Sequence, residues 1–335
     1  MSGLEARPVD VHDDAQMRRF HEIGWRAEME DGRPWNSFQS YDEQAVALRE
    51  QLPGQQADPI GVFDGEEMVG GGIVMMGLED NVDKAFVYPC VEPALRGRGI
   101  GGVLVEALVE HARGLGRTEL MSGCSVRFEE REDAPAVRFA AKHGFTHANI
   151  EVIRRLDLPV ADALLDEISG DVAGHAGGYE VRTFTDGVPD ELVESYCDLV
   201  NQLVVDAPTG ELDFEEEKYT PEAARHEFAR DRKVGRVVVR SMAVKDGEAV
   251  AHSDLLLRPQ GTRGVQWATL VRRDHRGHRL GAAVKVANLR WLQGHRPDIT
   301  EIVTQNAEVN AQMIGINERL GFVPVALVPE FVRRL

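Results

Sequence analysis

Apolar residues along this chain follow two periods, one of two residues and one near 3.6, and the periods alternate in the same order twice. In the first half, Leu4–Val9 reads as a short strand, and a helical pattern runs from about Asp13 to Met29. Ile60–Phe63 and Met68–Met76 read as strands joined across Asp64-Gly65, a dipeptide suited to a tight hairpin. Ala85–Val91 is a further strand that stops before Pro93. Ile100, Val103, Leu104, Ala107, Leu108 and His111 then recur at helical spacing, which predicts a helix from about Gly99 to Leu115. Glu119–Cys124 reads as a strand, Ala134–Lys142 as a short helix and Ile150–Leu156 as a closing strand.

The second half repeats the order. Tyr179–Phe184 is a strand and Pro189–Leu203 a helix; Arg236–Val244 and Ala249–Leu257 are strands around Asp246-Gly247. Val265–Val271 leads into a turn, Leu280–Leu292 is the helix after it, and Ile299–Thr304, Glu308–Arg319 and Phe322–Val328 complete the set. Two landmarks tie the halves together. Arg96-Gly97-Arg98-Gly99-Ile100-Gly101 is answered 180 residues on by Arg276-Gly277-His278-Arg279-Leu280-Gly281, and Gly144-Phe145 is answered 177 residues on by Gly321-Phe322. A repeat of domain size implies duplication or fusion and not a solenoid. The expected organisation is a domain over 1–158, a linker over 159–177 rich in glycine around one short apolar helix, and a second domain over 178–335. The expected fold class is α/β (α+β), with a mixed, mostly antiparallel sheet flanked by helices in each domain.

A strand followed by glycines and then a helix is a device for gripping an anion. Glycines let backbone approach a ligand closely, and the first amides of the helix lack partners within it. Those amides point outward with the positive end of the helix dipole behind them, so a diphosphate fits there. Arg96 and Arg98 add charge-assisted donors. A dinucleotide fold would place its glycines after the first strand, whereas here they follow the fourth, and the lysine followed by Ser or Thr of a P-loop is absent.

The run Val91-Glu92-Pro93-Ala94-Leu95-Arg96-Gly97-Arg98-Gly99-Ile100-Gly101 resembles the acetyl-CoA signature of the GCN5-related N-acetyltransferases, whose core is Arg/Gln-x-x-Gly-x-Gly/Ala. Gly144-Phe145 and Gly321-Phe322 resemble that family's closing pair after its last helix. The resemblance covers both halves and implies a tandem member. It further implies a sheet whose fourth and fifth strands splay apart, with pantetheine in the wedge. On this resemblance the pyrophosphate loops are Arg96, Gly97, Arg98, Gly99, Ile100, Gly101 and Gly102 in the first copy, and Arg276, Gly277, His278, Arg279, Leu280, Gly281 and Ala282 in the second. Amides near Val91 and Val271 would hold the thioester carbonyl as it becomes an oxyanion.

The copies depart from the family pattern in different places. Arg279 stands where the signature wants glycine. Asn306 and Asn310 in the second copy suit the asparagine that bonds the pantetheine amides in the family. The tyrosine that protonates the leaving thiolate in many members is replaced by Ala140 and by Asn317. Asp206, His252 and Asp254 of the second copy lie where family substrates bind and are the candidate bases. The second copy is therefore the expected catalytic one. The expected reaction is direct acetyl transfer from acetyl-CoA to a primary amine of a small molecule. A catalytically silent CoA-binding protein and transfer of a longer acyl group are the alternatives.

Composition narrows the partners. The formal net charge of −18 lacks the basic footprint of nucleic-acid binding and suits attraction of a cationic amine. No apolar stretch reaches the length of a membrane span, and the start of the chain lacks a secretory pattern. Cys90, Cys124 and Cys197 are odd in number with no CxxC spacing, which argues for a reducing cytoplasm and against a zinc site. No metal is expected, and the protein would work as a monomer or a homodimer.

Overall fold

The computed structural model describes residues 3–335, which divide into two compact units. Among the described residues, unit 1 comprises 3–150, Thr209–Asp213 and Ala326–Leu335, and unit 2 comprises Glu151–Pro208 and Phe214–Val325. Both are mixed, mostly antiparallel sheets with helices packed against them.

In unit 1 the chain runs through β1 (Leu4–Pro8), α1 (Asp14–Met29), α2 (Tyr41–Arg49), β2 (Gln55–Asp64), β3 (Glu67–Gly77), β4 (Lys84–Cys90), α3 (Ile100–Gly114), β5 (Glu119–Gly123) and α4 (Pro135–Lys142). The strands lie in the order β1-β2-β3-β4-β5. Three successive glycines of β3 bring helices close on both faces. A Cβ added at Gly71 would meet Phe20 of α1 at 2.9 Å, and one at Gly70 or Gly72 would meet Ile100 or Leu108 of α3 at 2.7 and 2.9 Å. The start of α3 is thereby seated directly on the sheet. α3 buries Leu104, Val105, Leu108 and Val109 against Val62, Val74 and Val87, each large side chain contributing about 2 kcal/mol of burial. α1 begins at its Asp13 cap and buries Met17, Phe20, Ile23 and Ala27 on one stripe.

Unit 2 repeats this with β7 (Glu180–Phe184), α6 (Asp190–Asp206), α7 (Pro221–Lys233), β8 (Val237–Lys245), β9 (Glu248–Leu257), β10 (Arg263–Val271), α8 (Leu280–His295), β11 (Glu301–Ala307) and α9 (Ala311–Leu320). Its strand order is β11-β10-β9-β8-β7. The glycine-bearing segment before β7 is ordered: α5 (Asp162–Ala173) buries Leu165 and Ile168 in the core of unit 2 with Leu289 and Leu292 of α8. The expected linker over 159–177 is thus part of a unit, because its apolar positions find a helix to pack on.

The closing strands differ from the sequence expectation. β12 (Val323–Arg334) places Glu330–Arg334 in unit 1, antiparallel to Gly123–Glu119 of β5. β6 (Thr146–Asp157) places Glu151–Asp157 in unit 2, antiparallel to Ala307–Glu301 of β11. Each unit therefore completes its sheet with the last strand of the other copy, and the contiguous division at 158 and 178 does not describe the compact units. An alternating pattern fixes which face of a strand is buried but not which edge it joins.

Candidate functional site

In both units the fourth and fifth strands start as parallel neighbours and then part. β4 and β5 pair from Lys84↔Glu119 to Phe86↔Met121, and β10 and β11 from Arg263↔Glu301 to Gln266↔Thr304. A hydroxyl on the fifth strand closes each ladder where the strands diverge. Ser122 Oγ donates to the Val87 carbonyl at 2.8 Å, and Thr304 Oγ1 donates to the Gln266 carbonyl at 3.0 Å.

Beyond the divergence, each signature arginine folds back. Arg96 Nε donates to the Val91 carbonyl at 3.1 Å and Arg276 Nε to the Val271 carbonyl at 3.2 Å. Arg272 N bonds Val250 O at 2.9 Å, so alternation along β10 turns the amide of Val271 away from β9 and toward the opening. This is the edge where the sequence reading places the amides that hold the thioester carbonyl.

The turns follow. In unit 1, Gly97 and Gly99 adopt φ 79° and 86°, and a Cβ added at either would meet no atom within 4 Å. Both positions need glycine for conformation, and the space in front of them is open. Among the described residues, no acceptor pairs with the amides of Arg98, Gly99, Ile100 or Gly101, and α3 has no side-chain cap. These residues form an anion cradle that fits a diphosphate. In unit 2, Arg279 occupies the left-handed region at φ 57°, and its guanidinium is ion-paired with Asp171 of α5, which also pairs with Arg319 at 2.5 Å. His278 Nδ1 meets the His175 carbonyl oxygen at 3.0 Å. Among the described residues, the amides of Leu280, Gly281 and Ala282 in the second turn have no acceptor, but side chains of its own unit already engage its arginines.

The wedges differ most. Unit 1 has a cleft of about 590 Å³, its open mouth included, lined by Val87, Pro89, Val105, Leu108, Ser122, Cys124, Phe139, Ala140, His143, Phe145 and Phe331. Apart from Ser122 and His143 this lining is apolar. Corresponding places in unit 2 are polar and buried. Lys285 follows Gly281 at the spacing at which Val105 follows Gly101, and Asn288 takes the place of Leu108. Asn317 stands before Gly321 as Ala140 stands before Gly144. Asn306 follows Thr304 as Cys124 follows Ser122, and Arg154 pairs with Thr304 as Phe331 pairs with Ser122. These groups bond to one another. Lys285 Nζ donates to Asn317 Oδ1 at 2.9 Å, while Asn317 Nδ2 and Arg154 donate to Asn306 Oδ1 at 3.1 and 3.0 Å. Burial lowers the Lys285 pKa to about 7.

The candidate bases have other occupations in the structure. Asp206 has a side chain only 4% exposed and accepts from Arg273 and Arg276, both at 2.6 Å. It braces the second turn, and its oxygens are committed. His252 is fully buried with Nδ1 3.1 Å from Asp254, and Asp254 accepts from the Tyr196 hydroxyl at 2.9 Å. Burial opposes the charge on Asp254, but His252, Arg240 and the Tyr196 hydroxyl outweigh it and hold the carboxyl below its ordinary pKa. Sequence shows none of these partners. Asn310 caps α9 by accepting from Met313 N at 3.1 Å, and Asn306 is spent within the buried cluster.

The comparisons agree with this geometry. Residues 59–147 match the acetyltransferase (GNAT) domain family. A tandem GNAT protein from the clavulanic acid biosynthesis pathway superposes over 99% of this chain and 98% of its own, with a TM-score of 0.80 at 25% identity. Residues 59–147 thus form a GNAT domain, and the whole chain has the architecture of a tandem GNAT protein. A GNAT domain implies acyl transfer from acyl-CoA, and the GNAT fold implies acetyl-CoA as the co-substrate. The GNAT fold is also shared by a protein from Sphaerobacter thermophilus, with a TM-score of 0.62, 18% identity and 99% and 95% coverage. A glucosamine N-acetyltransferase region of a fungal multi-domain GH3 β-N-acetylglucosaminidase has a TM-score of 0.67 at 14% identity, covering 99% of this chain and 38% of that one. No curated protein matches this chain significantly in sequence. Among the described residues no helix is long and apolar enough to cross a membrane.

Proposed function

We propose that the protein transfers an acetyl group from acetyl-CoA to a primary amine of a small molecule, and that unit 1 performs the transfer. The observation that carries this reading is the open apolar cleft where β4 and β5 diverge, in the same unit as a glycine turn with unpaired amides. A pantetheine arm needs such a passage and a pyrophosphate needs such a turn. The reading reverses the expectation that the second copy is catalytic. In unit 2 the corresponding passage holds Lys285, Asn317, Asn306 and Arg154, and displacing them would strand two buried cations.

Ala140 at the place of the usual tyrosine favours a competing reading, a silent CoA-binding protein. Calorimetry with acetyl-CoA and thiol release on a panel of amines test both. The expected result is one site per chain, abolished by Gly99→Glu and kept by Gly281→Glu, with thiol released on amine addition. Loss of binding and turnover in Gly281→Glu alone would make unit 2 the acylating copy. Saturable binding without thiol release from any amine would support the silent reading.

A further inference from the structure

Any ammonium acceptor must lose a proton before its nitrogen can attack, and a carboxylate with an oxygen to spare is the simplest means. Glu28, in the last turn of α1, meets that requirement at the mouth of the unit 1 divergence. Its Oε2 accepts from Asn36 Nδ2 at 2.7 Å and lies 3.6 Å from Arg33 NH1, while Oε1 has no partner among the described residues. The side chain is 35% exposed, so solvent and substrate can reach it.

Two hydrogen-bonded links place Glu28 beside the two strand ends. Asn36, which holds Glu28, accepts through Oδ1 from Ser125 Oγ at 2.7 Å, and Ser125 directly follows Cys124 of the cleft. Arg96, whose Nε holds the Val91 carbonyl, also donates to the carbonyl of Ala27, the residue before Glu28, at 3.3 Å. Glu28 lies close enough to Cys90 at the end of β4 and to Cys124 beyond β5 to help push both thiols up, to about 12 and about 11, after the larger effect of burial. Of the neighbouring carboxylates, Asp31 holds two arginines, Arg33 and Arg96, through a single oxygen, and Glu92 engages Arg19 and Arg26 through both of its oxygens. When the buried Met17, Phe20 and Ile23 of α1 are aligned with Val193, Tyr196 and Leu199 of α6, Val204 falls opposite Glu28. The helical position of unit 2 that matches Glu28 thus carries no carboxylate.

We infer that Glu28 is the catalytic base of unit 1, taking a proton from the acceptor ammonium at Oε1; this rests on the reading of unit 1 as the acylating copy. The freed lone pair attacks the thioester carbonyl carbon, a C–N bond forms and the C–S bond breaks. The second N–H proton passes through water to the departing thiolate, and Glu28 releases its own to solvent. Ammonium and thioester become amide, thiol and one proton.

The test is Glu28→Gln, whose carboxamide oxygen can still accept from Asn36 but cannot take a proton. The expected variant binds acetyl-CoA like wild type by calorimetry and loses 100-fold or more in kcat at pH 7, in the range of general-base effects. That deficit should shrink toward pH 10, because the amine then arrives deprotonated. Glu28→Ala, which also removes the side-chain bond to Asn36, separates loop damage from base loss by its acetyl-CoA affinity and unfolding midpoint. Wild-type turnover matched by Glu28→Gln across the pH range would overturn the role of Glu28 and leave the function intact. Absence of acetyl-CoA binding in wild type would overturn the functional reading and this inference together.

Discussion

Arg96 braces Val91: the Nε of the signature arginine donates to that carbonyl at 3.1 Å, and its terminal nitrogens reach Asp31 at 2.8 Å and the Ala27 carbonyl at 3.3 Å. The side chain thus ties the turn to the end of β4 and to α1, and leaves the anion work to backbone amides. Lysine has one ammonium and cannot span three acceptors in a plane. We expect Arg96→Lys to weaken acetyl-CoA binding about tenfold by calorimetry, which is about 1.4 kcal/mol. Arg276→Lys in the second turn should leave that affinity unchanged.

Gly99 sits at φ 86° with open space before it. Alanine there adopts a left-handed conformation at a cost of about 1 kcal/mol, visible as a small drop in denaturation midpoint. Its methyl group would also enter the cradle. Gly99→Ala should therefore lose more in acetyl-CoA affinity, tenfold or beyond, than in stability. Equal losses would mean that the glycine serves the fold alone.

The sequence reading and the structure agree where the signal is local. The hairpin turns at Asp64-Gly65 and Asp246-Gly247, the helix after each glycine turn and the repeat itself follow from spacing between near neighbours. They part where partners are remote in sequence. His252 and Asp254 are acid–base residues by type, but they face each other and Tyr196 inside unit 2, and no local pattern reveals that. Glu28 escaped notice because it is one charge among several on the polar side of α1. The signal that would have found it is comparison of the copies, which shows valine at its counterpart, Val204.

Lys285 is buried, and among the described residues no carboxylate is paired with it. Its folded pKa of about 7 lies below the ordinary lysine value of 10.5, so the unfolded chain holds the proton more firmly. Stability must then rise with pH through the window from about 7 to about 10.5, by up to about 1.4 kcal/mol per unit from this group. Below that window the group is protonated in both states and its penalty is constant. Lys285→Met removes the penalty and, with it, this component of the slope. Urea denaturation of both proteins at pH 7, 8 and 9 should show the stability advantage of the variant shrinking as pH rises.

Glu330–Arg334 supplies the strand that pairs with β5. A fragment ending at residue 158 keeps every element of unit 1 except that strand and leaves an unpaired edge beside the cleft. We expect residues 1–158 alone to aggregate or unfold well below the midpoint of the full chain. A synthetic peptide of residues 323–335 added in trans should raise that midpoint, and a scrambled peptide should not.

The exchange of closing strands also sets a timetable for biosynthesis. The first half of the polypeptide emerges from the ribosome long before Glu330, yet its sheet lacks an edge until those final residues are translated. Nascent unit 1 must wait, partly assembled, through the synthesis of its entire twin, with contacts that span over two hundred positions still to be made. Unit 2 draws its closing strand from residues made before the rest of it, so it can close first, and the half that is translated earlier is the later one to mature.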